Sequence, residues 1–177
     1  MQKQKLIINA DDFGETFEKN RAITWCMLKG LITNCTIIAN TDSFVYACEI
    51  YEKELIMKNR VGIHLNIALG APLTDAIKKH RSFCDRNGEF YFNRYRNIYL
   101  DKEGLQALYF EFQAQIKRVK SFGIDISHID THHHTHWHYH IYSVIKELAK
   151  EFDINKIRLA RNLCTSENIF KKCIRPI

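Results

Sequence analysis

Short apolar runs alternating with stretches of helical period constrain this chain more than any other feature. Residues 5–10 form an isoleucine-rich run that ends on Asp11-Asp12-Phe13-Gly14, the pattern of a buried strand opening into a loop. Residues 15–29 then carry Phe17, Ala22, Ile23, Cys26 and Met27 near helical spacing, and Gly30 stands where helices commonly stop. The alternation continues with a strand over 32–39, a helix over 44–57 and a strand over 60–66 that holds His64 near its end. Residues 103–122 predict a helix with Leu105, Leu108, Phe112, Ile116 and Val119 on one side. A strand over 124–130, a helix over 141–152 and a fifth strand over 156–160 complete the series. Residues 67–101 break the pattern, holding Gly70, Pro72 and Gly88 among aromatic and basic side chains; they read as a long insertion with a functional or mobile role. Strand followed by helix, repeated, predicts an α/β fold on a parallel sheet, open or closed into a barrel. The 177 residues suit a single domain, 1–177, with one core.

In such a fold the carboxyl ends of the strands converge, and sites are built there. The polar residues with chemical promise stand at those ends: Asp11 and Asp12 after the first strand, His64 at the end of the third, and a histidine cluster after the fourth. Seven of the nine histidines fall between His128 and His140. Imidazole is the commonest protein ligand for transition metals. His128, Asp130, His132, His134 and His136 occupy every second position, so an extended backbone would point all five to one side. A tag would be terminal and uninterrupted, whereas this segment is internal and interleaved with Ile129, Asp130 and Trp137. A loosely organised metal-binding tract is the main rival to a built site.

Two adjacent carboxylates and two or more imidazoles can hold one divalent cation and leave a carboxylate over. Neighbouring side chains point in different directions, so one aspartate would ligate while the other accepts a proton from a bound water. Taken singly, Asp11 and Asp12 could cap the following helix, His64 could be a satisfied core histidine, and Asp130 reads best as the group that orients an imidazole. His138 and His140 fall at the start of the next helix, as surface residues. The net charge of +6 is dispersed among acidic residues and argues against nucleic acid as a partner. Six cysteines without a CxxC pair read as reduced, small core residues. No apolar run suits a membrane span, and the start has too short an apolar stretch for a signal peptide; a cytoplasmic protein is the expectation.

The segments Asn9-Ala-Asp-Asp-Phe-Gly14, Gly62-Ile-His-Leu-Asn66 and His128-Ile-Asp-Thr-His-His-His-Thr-His136 resemble, in order and spacing, the three motifs of the YdjC-like carbohydrate deacetylases. The similarity runs from Lys5 to about Arg161. It implies a distorted TIM-like (β/α) barrel of the polysaccharide-deacetylase type, and removal of acetyl groups from N-acetylated sugars or oligosaccharides with one divalent metal. Magnesium or zinc is expected, with cobalt or manganese as further candidates. By motif, Asp12, His64 and His132 become the metal ligands and Asp11 the general base. His134 and His136 line the pocket, and Asn9, His128 and Asp130 support these residues. Arg158 and Arg161 match the family's arginine-containing segment, although Asn162 stands where an acidic residue is usual.

Members of that family carry a late His-Pro-Gly segment whose histidine is a candidate general acid, and this sequence has none. A full barrel takes roughly 250 residues, so the barrel is expected to be incomplete at the carboxyl end, and His134 becomes the local candidate for the acid. The open sheet predicts an exposed strand edge or apolar face, and a chain that is either a homodimer or poorly soluble alone. Two other readings stand beside the deacetylase: a catalytically weak metal- or sugar-binding remnant, and a metal phosphoesterase. The last would require two metals and more carboxylates than the strand ends offer.

Overall fold

The computed structural model describes residues 6–91 and 100–159. Four parallel strands, β1 (Asn9–Phe13), β2 (Asn34–Ile37), β3 (Val61–Leu65) and β4 (Ile129–Thr131), form one sheet in the order β1-β2-β3-β4. Five α-helices accompany them: α1 (Phe17–Leu28), α2 (Phe44–Lys53), α3 (Asp75–Lys78), α4 (Lys102–Ser121) and α5 (Tyr139–Glu151). The protein is therefore α/β with a parallel sheet. Among the described residues the sheet is open, with β1 and β4 at its edges, and no barrel is closed. The expected fifth strand is an isolated parallel bridge between Ile157 and Ile129, and Ala160 lies outside the described residues.

Alternation along the strands sorts the sheet into two faces. Cys35, Ile37, Val61, Ile63, Leu65 and Ile129 enter the core with Met27, Phe44, Phe112, Ile116 and Ile145 from the helices. Asn9, Asp11, Thr36, His64 and Asp130 hydrogen-bond to one another across the other face. The register sets His64 of β3 opposite Asp130 of β4. Gly62 makes this face possible, because a Cβ there would lie 2.6 Å from the His128 ring and carbonyl.

The first strand begins later than the apolar run predicts. Ladder pairing with β2 starts at Asn9, and Leu6, Ile7 and Ile8 are 76%, 69% and 42% exposed at the open edge. Asp11 and Asp12 are consequently strand residues and not the loop after one. Helix α1 is capped by Thr16, whose hydroxyl accepts from Lys19 N at 3.2 Å, so the aspartates are not its caps. The expected helix over 44–57 ends at Lys53 and is followed by a 3-10 turn, Leu55–Met57.

Helix α4 matches its predicted period. Leu108, Phe112, Ile116 and Val119 are fully buried, and truncating Phe112 to alanine would cost about 3–5 kcal/mol. Two polar residues on the same helix hold the insertion in place. Glu111 accepts from Leu73 N, Thr74 N and Thr74 Oγ1 at 3.1, 2.9 and 2.9 Å, and Gln115 bonds both backbone groups of Asn66. Within the insertion, α3 and a bridge between Cys84 and Phe90 are ordered elements; residues 92–99 lie outside the described residues. Cys35, Cys48 and Cys84 are buried free thiols, raised by burial to about 12 at Cys48 and about 11 at Cys84.

Candidate metal centre

The register of β1 places its two aspartates. Ala10 pairs with Cys35 and Phe13 with Ile37, so β1 carries one more residue than β2 between these pairs, a bulge that re-aims side chains. Asp12 takes up the extra residue at φ +68°, a left-handed conformation that aspartate tolerates at a cost of about 1–2 kcal/mol. Gly14 follows at φ +93°, where a Cβ would meet Ile38 O at 2.8 Å. Asp11 and Asp12 thereby serve different neighbours at one end of the sheet.

Asp12 faces β3 and β4. Its Oδ1 lies 3.3 Å from His64 Nε2 and 2.9 Å from His132 Nδ1. The carboxylate and the two imidazoles offer donor atoms within 4.8 Å of one another. Bonds of about 2.1 Å meeting at 90–109° would set ligand atoms roughly 3.0–3.4 Å apart; both separations from Asp12 lie near that range, so the donor set could hold one small transition-metal ion. Burial would raise the Asp12 carboxyl, but hydrogen bonds from His132 and His64 hold it well below the usual carboxylate range.

His64 is fixed from behind. Its Nδ1 makes a short contact with Asp130 Oδ1, and Thr36 Oγ1 donates to Asp130 Oδ2 at 3.2 Å. A carboxylate on the far nitrogen sets the ring's tautomer and leaves Nε2 toward Asp12. His64 and Asp130 are 2% and 1% exposed. Burial disfavours the His64 charge, yet the Asp130 charge and the hydrogen bonds to Asp12 and Asp130 raise its pKa to about 9. Burial would also raise Asp130, and the His64 charge beside it lowers it.

Asp11 faces Arg158. Arg158 Nη1 lies 2.8 Å from both Asp11 oxygens and 3.2 Å from Asp130 Oδ2. Asn9 Nδ2 donates to Asp11 Oδ1 at 2.8 Å. His128 Nε2 donates in turn to Asn9 Oδ1 at 3.2 Å, while His128 Nδ1 receives the Ser127 hydroxyl at 2.8 Å. Burial lowers the His128 pKa, consistent with a neutral ring in this chain of bonds. Asp11, His64 and Asp130 make a second ligand-type group, and its two carboxylates share the guanidinium of Arg158.

The expected alternation of histidines ends at β4. After Thr131 the backbone turns into the 3-10 segment His132–Trp137, with His133 and His134 at φ +53° and +54°. The positive φ values break the two-residue period, so His134 and His136 do not continue the line of His128, Asp130 and His132. His134 lies parallel to Trp137, with ring centroids 5.9 Å apart, and edge-on to His136. His136 is buried, its Nδ1 2.6 Å from Thr131 Oγ1, and its Nε2 has no hydrogen-bond partner among the described residues. Burial, and then the charge of His134, lower its pKa to about 4. Neither residue belongs to a ligand group with Asp12. At the start of α5, His138 is partly buried and His140 exposed.

Two residues at this end were not singled out by sequence. Thr36 links Asp130 and Asn9 across the polar face; its position between Cys35 and Ile37 carried the only signal, a polar side chain in an apolar strand. Lys19 sits 3.1 Å from Asp12 Oδ2 and 2.6 Å from Glu15 Oε2. The Glu15–Lys19 spacing is that of a helical ion pair, whereas the approach to Asp12 depends on the turn before α1.

The parallel sheet, with one carboxylate and two imidazoles at its carboxyl end, defines an α/β protein whose Asp/His cluster could hold a metal. The family model for the YdjC-like protein matches residues 5–175, and the chain belongs to that family. A carbohydrate deacetylase of Clostridium beijerinckii is 34% identical over 150 residues, covering 85% of this chain and 58% of that protein. One from Vibrio parahaemolyticus is 35% identical over 148 residues, covering 83% and 56%. One from Oceanobacillus iheyensis is 35% identical over 170 residues, covering 92% and 70%. The chain thus spans little more than half the length of the first two. A crystal structure from Enterococcus faecalis V583, named for cellobiose-phosphate cleavage, superposes with a TM-score of 0.77 at 28% identity, covering 89% of this chain and 60% of that one.

Proposed function

We propose that the chain carries the metal-holding part of a carbohydrate deacetylase, which hydrolyses the acetamide of an N-acetylated sugar or oligosaccharide. The observation that carries this reading is the convergence of Asp12, His64 and His132, with a second carboxylate, Asp11, held beside them. Asp12, His64 and His132 would hold one divalent ion, and the imidazoles favour zinc, cobalt or manganese over magnesium. When bound, such an ion acidifies a water and polarises the acetamide carbonyl. Asp11 accepts the proton of the attacking water, its lone pairs oriented by Arg158 and Asn9. Arg158 Nη1, 2.8 Å from both Asp11 oxygens, holds the carboxylate in place. Asp130 and Thr36 keep the His64 ring from turning. His134 is the proposed donor of a proton to the leaving amine. A distorted barrel, completed by further strands, is the proposed frame for these residues.

A two-metal phosphoesterase fits less well, because the second pair of carboxylates, Asp11 and Asp130, is bridged by Arg158. The open β1 edge, with Leu6, Ile7 and Ile8 beside it, supports a second copy as the proposed partner, which sedimentation of the purified chain tests. No helix among the described residues is long and apolar enough to cross a membrane.

The deciding experiment is acetate release from diacetylchitobiose across a panel of divalent metals, with bound metal counted per chain. Metal-dependent release with one ion per chain is expected. One bound ion without acetate release under any metal would favour a binding remnant, and two bound ions would favour the phosphoesterase.

A further inference from the structure

Asp12 uses its two oxygens differently. Oδ1 faces both imidazoles, at 3.3 and 2.9 Å. Oδ2 faces away and receives the ammonium of Lys19 at 3.1 Å. Lys19 is itself held by Glu15 at 2.6 Å, and the backbone under this pair is anchored. Glu15 N donates to Asp12 O at 3.1 Å. The side chain of Asn20, fully buried, accepts from Gly14 N and donates to Ser43 O. The turn from Asp12 to Lys19 is thus tied at both ends, and the ammonium has a defined position although its side chain is 44% exposed. An ion pair this exposed contributes little to stability; its consequence is geometric.

We propose that Lys19 is a positioning residue that restricts Asp12 to one-oxygen ligation and so keeps a coordination position open for water or the substrate carbonyl. A carboxylate is free to ligate through one oxygen or two, and calcium in particular accepts the two-oxygen mode within a shell of six to eight oxygens. An ammonium on Oδ2 competes with the second metal bond and biases the site toward ions content with few ligands. Hydrogen bonds to ligating carboxylates tune metal sites in this way. The inference rests on Asp12, His64 and His132 being the ligands.

The test loads the full chain with Co2+ and reads its visible absorption, whose intensity falls as coordination number rises. Lys19→Met is expected to keep the fold by circular dichroism and still bind Co2+, with a several-fold loss of visible absorbance. Ca2+ should displace Co2+ at concentrations about tenfold lower than in the parent protein. Lys19→Arg, which keeps the cation, is expected to retain the parent spectrum. Lys19→Gln makes the same test if Lys19→Met does not fold. A parent-like spectrum and parent-like Ca2+ competition in a folded, Co2+-binding Lys19→Met would overturn the proposal and leave the ligand assignment standing. A purely structural role would lower the melting temperature without moving the spectrum, and that result also overturns it. Failure of the parent chain to bind Co2+ at all would remove the ligand assignment itself.

Discussion

Two ligand-type groups stand side by side at the carboxyl end of this sheet and share His64. Asp12 and His132 complete one, Asp11 and Asp130 the other, and they differ in where positive charge comes from. Around Asp11 and Asp130 a guanidinium already supplies it, Arg158 bonding both carboxylates. At Asp12, Oδ1 meets the imidazoles of His64 and His132, which can give up a proton to a metal, and Lys19 pairs with Oδ2. In the proposed function, similar side chains a few ångströms apart do different work, one group holding an ion and the other a base. Composition does not separate them; the position of one arginine does.

The largest expected effect comes from Asp12→Ala. It should abolish stoichiometric metal binding in titration calorimetry, beyond the roughly 10–100-fold that outer hydrogen-bond losses cost, and acetate release should vanish with it. Undiminished binding would mean that the two groups have been exchanged. Asp11→Asn sharpens the contrast: metal affinity should change by a few-fold at most, while activity falls roughly 10²–10⁴-fold, the usual worth of a general base. Loss of the metal in that variant would make Asp11 a ligand.

Arg158→Met tests what closes the second group. Asp130, with a side chain 0% exposed, would lose a cationic partner, and stability should fall by about 1–3 kcal/mol. That is less than for a fully buried pair, because Arg158 is 39% exposed. A divalent cation should restore part of the loss, with bound metal rising above one per chain. An unchanged melting temperature and a single ion would show that Arg158 does not divide the two groups.

The smallest effect expected is a pH dependence at their shared member. The His64 pKa is raised from 6.5 to about 9 in the metal-free protein. Its contribution to folding is therefore complete below about 6.5 and lost as pH rises through about 9. A metal needs the deprotonated nitrogen, so stabilisation by metal should grow as pH rises toward about 9, with proton release on binding at any pH below about 9. Melting curves with and without Co2+ from pH 6 to about 9.5 measure both trends. Metal stabilisation independent of pH would place the proton elsewhere.

Much of this fold is legible in local sequence because helices and strands announce themselves by period. The face of α4 and the span of α5 lie close to their predicted positions, and the three motif segments come together at one end of the sheet. The misreadings share a cause. Residues 6–8 look like a strand because they are apolar, yet a strand exists only where a neighbour pairs, and β2 offers pairing from Asn34. The histidine tract alternates as a strand would, yet the ladder ends at Thr131 and positive φ at His133 and His134 turns the chain away.

The alternation of strand and helix, the candidate ligand types and their assembly at one end of a parallel sheet can be read along the chain. These follow from side-chain period and from the chemistry of carboxylates and imidazoles, which are local properties. The motif resemblance already grouped Asp12 with the imidazoles, whereas the cause of that placement, a single-residue bulge between β1 and β2, and the pairing of Asp11 with Arg158 are products of packing. The roles of Lys19 and Thr36 came from the same level. Their partners Asp12 and Asp130 are 7 and 94 residues away, and a hydrogen bond of that reach is fixed by how strands and turns pack, which no local pattern encodes.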